Sequence, residues 1–274
     1  MKTIVVPFDF STYSLEALKT AQKISVKSGA TIVCVTVIPS EVDFEKLSEE
    51  AKLKYTDLIE QKTEAEEILP EYIQQIAPAK APIEQVVKIG VPHEQILREA
   101  NRSEADMIVM GAYGKGYTEG KFIGSNLQKI LRMADMPVLA VKVALDGNNL
   151  RKIAFASTFQ QDTPKAFAKI KPFVKAFKAS VHQLFVNTPG NFHTSEKIQD
   201  GMKLFQAGNE EIVFHQHTYS AEEVEKGIVA FCEEEGLHLV ALVSGDHKLS
   251  PAYQIGVTET VLFQGDLGVL SVKA

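Results

Sequence analysis

Two clusters of residues have the types and spacing to hold a charged ligand. Gly111-Ala112-Tyr113-Gly114 is followed, nine residues later, by Gly124-Ser125-Asn126. Glycine tolerates positive φ and carries no side chain, so Gly111 and Gly114 leave room for a bound group to touch the main chain. Gly124 and Ser125 head a stretch of helical pattern, where free N–H groups, a hydroxyl and the positive end of a helix dipole face an anion. Together they suit a polyphosphate. The second cluster is Pro7-Phe8-Asp9-Phe10-Ser11, which sets a carboxylate between a strand-like run and a helical one. A carboxylate there can accept hydrogen bonds from ribose hydroxyls. Both clusters have ordinary alternatives: Asp9 can merely cap its helix, and a glycine-rich loop can be only a loop.

The commoner nucleotide fingerprints are excluded. In a Walker A reading, Gly120-Lys121 is followed by Phe122 instead of Ser or Thr, and Lys115 stands where the first glycine belongs. Gly114-Lys115-Gly116 continues into Tyr117-Thr118-Glu119, so it is not G-x-G-x-x-G. Lys115 and Lys121 can lend charge to phosphates or simply solvate the loop. His215 and His217, two apart in a strand-like run, share one face and could hold a metal, but no third ligand is legible, and a polar face on a peripheral strand is the expectation. No Ser-His-Asp order, nucleophile elbow or acid–base carboxylate pair is readable, so no catalytic residue is expected.

The elements that must position these groups repeat. Lys2–Pro7 is echoed by Lys152–Ser157, Ala30–Val37 by Ser180–Val186, Met107–Gly111 by Leu239–Gly245, and Pro137–Lys142 by Gly268–Lys273. Helical spacing lies between these apolar, β-branched runs, as at Ala17, Leu18, Ala21 and Ile24 behind a candidate N-cap at Ser11. Strands apolar on both faces, alternating with helices, require a parallel sheet covered on both sides. The fold class is therefore α/β, with two doubly wound, five-stranded parallel domains in tandem. They are expected over residues 1–144 and 150–274, joined by the turn-rich run Ala144–Leu150. In such sheets ligands bind beyond the carboxyl ends of the strands where strand order reverses. Both clusters above fall at such ends. Glu41–Gln75 reads as one extended helix with a solvated face, a lid being the lesser reading. Pro172 is expected to kink or break its helix.

Composition narrows the class further. With 45% hydrophobic and 23% charged residues in 274, the chain has material for two ordinary cores. Its apolar runs are far shorter than the roughly 20 residues of a membrane span. Two cysteines make no disulfide framework, and the expected home is the cytoplasm. A net charge of -6 without a long basic block argues against a nucleic-acid partner.

These motifs resemble those of the universal stress protein family, whose ATP-binding members carry G-x-x-G, nine residues, then G followed by Ser or Thr. The likeness extends to Pro7-Phe8-Asp9-Phe10-Ser11, to Gly90-Val91-Pro92 with Glu94-Gln95-Ile96-Leu97, and to Pro137–Lys142. The resemblance implies an adenine-nucleotide site in the first half. Asp9, with Pro7 and Phe8, would lie at the ribose, Val37 and Met110 beside the base, and Gly111, Gly114, Gly124, Ser125 and Asn126 around the phosphates. The expected ligand is ATP, with or without Mg²⁺. Val37 and Met110 are equally compatible with plain core packing. Ala112-Tyr113 departs from the family pattern, which often has Arg or His in that pair.

The second half departs further. Thr158 aligns with Asp9, the loop from Ser244 to Pro251 lacks the second glycine, and Gly256 is followed by Val257. A degenerate site is expected there. The resemblance also implies antiparallel pairing of the two last strands within the chain; a homodimer of whole chains is a further possibility. The leading expectation is a nucleotide-sensing, stress-response regulatory module. A slow ATPase on the same site is one alternative. A scaffold or small-ligand carrier using Phe155, Phe159, Phe167 and Phe173 is the other.

Overall fold

A computed structural model describes residues 1–42, 44–76, 82–118, 122–160, 163–244 and 251–273. The first half contains strands β1 (Thr3–Pro7), β2 (Thr31–Pro39), β3 (Ile83–Gly90), β4 (Met107–Gly111) and β5 (Val138–Val141). Its helices are α1 (Thr12–Ser28), α2 (Glu49–Lys52), α3 (Thr56–Ile76), α4 (Pro92–Arg102) and α5 (Ser125–Met133). The second half contains β6 (Lys152–Ala156), β7 (Ser180–Asn187), β8 (Phe214–Ser220), β9 (Leu239–Ser244) and β10 (Gly268–Lys273). Its helices are α6 (Thr163–Phe177), α7 (Ser195–Gln206), α8 (Val224–Glu234) and α9 (Pro251–Gln264).

The strands form one sheet in the order β3-β2-β1-β4-β5-β10-β9-β6-β7-β8. Each half is thus doubly wound, with its order reversing between the first and fourth strands. β5 and β10 meet antiparallel, Leu139 opposite Leu270, while every other pairing of the named strands is parallel. β3 and β8 are the outer edges.

Local sequence explains the elements. α1 begins where the Ser11 side chain accepts from the Ser14 N–H, and ends at Gly29, whose φ of 76 suits only glycine well. Its buried stripe of Ala17, Leu18, Ala21 and Ile24 packs on the sheet face that carries Ile4, Val6, Ile32 and Cys34. The opposite face, with Val5, Val33, Val35 and Ile108, is covered by Ile96 and Ala100 of α4 and Leu127 and Ile130 of α5. Both apolar layers run on into the second half, so the core is continuous across the β5–β10 join. The connecting run is tied down: Ala144 N–H donates to Glu16 Oε2 at 2.8 Å and Leu145 N–H to Thr20 Oγ1 at 3.1 Å. Leu145 is buried over Gly268.

Two expectations need correction. Glu41–Gln75 is not one helix: a 3-10 turn at Phe44–Lys46 and the short α2 precede α3, and Ser48 starts α2 afresh by accepting from the Ala51 N–H. Nor does Pro172 break its helix. α6 runs through it, because Phe173, Val174 and Phe177 beyond the proline are all buried in the core, and that packing outweighs one lost hydrogen bond.

Candidate functional site

A cleft of about 700 Å³ opens where strand order reverses, beyond the carboxyl ends of β1 and β4. That is within the ordinary range for a small-molecule site. Pro7, Phe8, Asp9, Val37, Met110, Gly111, Gly114, Gly124, Ser125 and Asn126 all line it. Residues from four separate stretches of chain are brought together by the β-α-β winding alone.

Asp9 is the knot of this site. One carboxylate oxygen accepts from both the N–H and the hydroxyl of Ser11, and the other accepts from the Lys115 N–H at 2.9 Å. The helix cap itself is Ser11, so Asp9 does more than cap: it ties the loop after β4 to the loop after β1. Phe10, next in line, takes a left-handed φ of 63 and is held in a T-shaped trio with Phe8 and with Tyr72 of α3.

The three motif glycines turn out to be glycines for different reasons. None has positive φ, so the conformational argument made from sequence does not apply to them. At Gly111 a Cβ would lie 2.7 Å from the Tyr13 main chain, so the residue is required for α1 to approach β4. At Gly114 a Cβ would lie 2.9 Å from Asp9 Oδ2, in the path of the Lys115 hydrogen bond. At Gly124 the nearest protein atom is 3.6 Å away, an ordinary contact. Gly124 is also the N-cap of α5 without a side-chain cap, so the first N–H groups of that helix face the cleft.

The walls divide by chemistry. Phe8, Val35, Val37, Ile38 and Met110 give an apolar side suited to a flat base, and the start of α5 gives the anion side. Gln61, Glu64, Ala65 and Ile68 of α3 line the cleft, which favours the lesser of the two readings of this segment, a lid, over a helix with a solvated face. Thr36 was not foreseen: it is 3% exposed, lines the cleft, and its hydroxyl has no hydrogen-bond partner among the described residues. Tyr113, in the pair that departs from the family pattern, is buried against Tyr13 and Tyr117 with ring centroids 4.9 and 3.9 Å away. Burial pushes the Tyr113 phenol up to about 12, helped by its two tyrosine neighbours, so it stays neutral beside an anion. Lys115 lines the cleft; Lys121 lies outside the described residues. Among the described residues no set of three His, Cys, Asp or Glu side chains is arranged to hold a metal ion.

The second half repeats the frame of the first strand and its turn. Ser157 N–H donates to Leu184 O as Phe8 N–H donates to Val35 O, which aligns Thr158 with Asp9, and Phe159 repeats the left-handed turn with φ 56. Phe155, Phe159 and Phe167 are then packed around Phe205 of α7 at centroid distances of 5.1, 5.6 and 4.9 Å. These rings, with buried Phe173, are packed in the core. Residues 245–250 of the corresponding loop lie outside the described residues.

A cleft at the strand reversal, with a glycine-spaced helix start opposite an aspartate, defines a doubly wound α/β protein with a ligand-sized opening at its switch point. Residues 1–142 match the profile of the universal stress protein family, and the chain belongs to that family. Universal stress protein MJ0531 of Methanocaldococcus jannaschii is 32% identical over 149 residues, covering 52% of this chain and 82% of that protein. A universal stress protein of Thermus aquaticus is 32% identical over 144 residues, covering 52% and 98%. The solved structure of a universal stress protein from Archaeoglobus fulgidus matches the fold over 99% of this chain and 96% of its own, with a TM-score of 0.74 at 22% identity.

Proposed function

We propose that the protein binds ATP, or a close adenine-nucleotide relative, in the cleft of its first half, as a regulatory module. The observation that carries this reading is Gly124: among the described residues no neighbour demands a glycine there, yet its missing side chain keeps open the space in front of an uncapped helix start. A phosphate fills that space with favourable hydrogen bonds and dipole. The orphaned Thr36 hydroxyl supports a polar, base-bearing ligand on the apolar side, because a buried hydroxyl without a partner costs about 1–3 kcal/mol. Any Mg²⁺ would arrive on the phosphates, its oxygen ligands coming from them and from water.

In this reading residues 1–144 are the binding domain and 150–274 a domain whose site has been given up. The two stay joined through β5 and β10 in a cytoplasmic protein. Bound nucleotide regulates by preferring one arrangement of α3 or of the loop after β4 over another. Titration calorimetry of the nucleotide-stripped chain with Mg-ATP tests it, alongside Asp9→Ala and Gly124→Val. One site per chain, lost in both folded variants, is expected. Absence of binding by the folded wild type sinks the proposal.

A further inference from the structure

The outer strand pair of the second half carries three imidazoles on one face. His182 of β7 is paired in register with His215 of β8, and His217 lies two residues further along the same face. The His182 Nδ1 and His217 Nε2 atoms are 3.1 Å apart, with the rings stacked at a centroid distance of 5.1 Å. The His215 ring lies 4.7 Å from that of His182 and is exposed. Phe231 of α8 closes the pocket from one side, its ring 4.8 Å from His217. Glu235, just past α8, acts electrostatically on both His182 and His217, and Lys152, at the start of β6, acts on His182.

We propose that His182 and His217 form the core of a binding site for a divalent d-block cation of the zinc class, completed only when His215 turns from its present position to supply the third ligand, since among the described residues no three side chains are so arranged as they stand. The separation of the two nitrogens is the argument. Two ligands at the usual zinc–nitrogen length are about 2.9 Å apart at a right angle and about 3.4 Å apart at the tetrahedral angle. The observed 3.1 Å falls between these, so an ion can replace the hydrogen bond with little change in the nitrogen separation once both rings turn their lone pairs toward it. In the metal-free protein one ring must hold a proton between the two nitrogens. A neutral imidazole can carry that proton on its other nitrogen instead, which frees both lone pairs without any proton leaving the protein.

An all-nitrogen donor set selects zinc, nickel or copper over the oxygen-seeking Mg²⁺ and Ca²⁺. Glu235 offers the nearby negative charge that a dication favours. His215 is free to complete the set because its side chain stands at the solvent edge of the outermost strand. The ion would clip β8 to β7 on the rim of the sheet far from the nucleotide cleft, and the site stands or falls independently of it.

The test is calorimetric titration of the chelator-treated, nucleotide-free full chain with Zn²⁺ alone. One ion per chain is expected, lost in His182→Asn and in His217→Asn, weakened in His215→Asn and unchanged in Gly124→Val. Because His182 is half-buried, the wild type is also titrated with Co²⁺, whose visible bands report nitrogen ligation without any substitution. Failure of the wild type to take up Zn²⁺, or uptake undiminished in a folded His182→Asn/His217→Asn double variant, overturns the proposal.

Discussion

Lys142 and Lys273 reach across the join between the halves in reciprocal fashion. Lys142, one residue beyond β5, donates to the carbonyl oxygens of Phe263 and Gly265 at 3.0 Å each, at the end of α9. Lys273, the last residue of β10, donates to the carbonyl oxygen of Arg132 at 2.6 Å, at the end of α5. Burial lowers the pKa of both ammonium groups, while Asp266 beside Lys142 and Asp135 beside Lys273 act the other way. Each half therefore closes the terminal helix of the other. Lys142→Met and Lys273→Met should each cost about 1 kcal/mol through orphaned carbonyls, read as a lower denaturant midpoint. Only Lys273→Met acts on the helix whose start lies in the cleft, so it alone should also weaken nucleotide binding.

The motif glycines separate fold from function. Gly111→Ala should destabilise by about 1–3 kcal/mol, because the new methyl meets the Tyr13 backbone. Gly124→Ala should leave the melting temperature nearly unchanged and lower affinity for Mg-ATP. Gly256→Val, at a position with no described atom within 4 Å of the added carbon, should leave nucleotide binding intact. Melting curves and calorimetry on the same three samples decide the matter, and loss of binding in Gly256→Val would refute a site confined to the first half.

Thr36→Val exchanges a partnerless buried hydroxyl for a methyl of similar size. The ligand-free protein should gain about 1 kcal/mol, and nucleotide affinity should fall as a contact is lost. Equal affinity in the two proteins would show that the hydroxyl does not meet the ligand.

Glu259 of α9 is 8% exposed and one of its oxygens has no partner among the described residues. Burial raises its pKa, with Arg132 offsetting part of the effect. A carboxyl held above its unfolded value binds more protons folded than unfolded, so stability falls as pH rises from about 4.5 through the raised value. Glu259→Gln should therefore be more stable than wild type at neutral pH, with the gain shrinking toward pH 4.5. Denaturant melts at several pH values measure this, and a gain independent of pH would point away from ionisation.

The strand runs and the two clusters around Asp9 and the motif glycines were legible because each depends on local pattern plus the winding rule. Val37 and Met110 came from the family resemblance alone, and they lie near the carboxyl ends of β2 and β4. What stayed hidden depended on distant packing. The amphipathic pattern of α3 is the same whether its apolar stripe rests on a sheet or roofs a cleft, so Ala65 and Ile68 gave no sign of lining a site. His182 lies 33 residues before His215, and only the β7–β8 register brings them together. Gly111 looked like a ligand contact by residue type, whereas its reason lies in Tyr13.

The sheet ends in only two free rims. β3 exposes Glu84 and Gln85, and β8 exposes His215, Gln216 and Thr218. A strand from a neighbouring molecule that lengthened the sheet at either rim would have to strip water from these groups as it docked. A ten-stranded sheet is a ready template for open-ended growth, and these polar borders make the protein a poor seed for its own polymerisation.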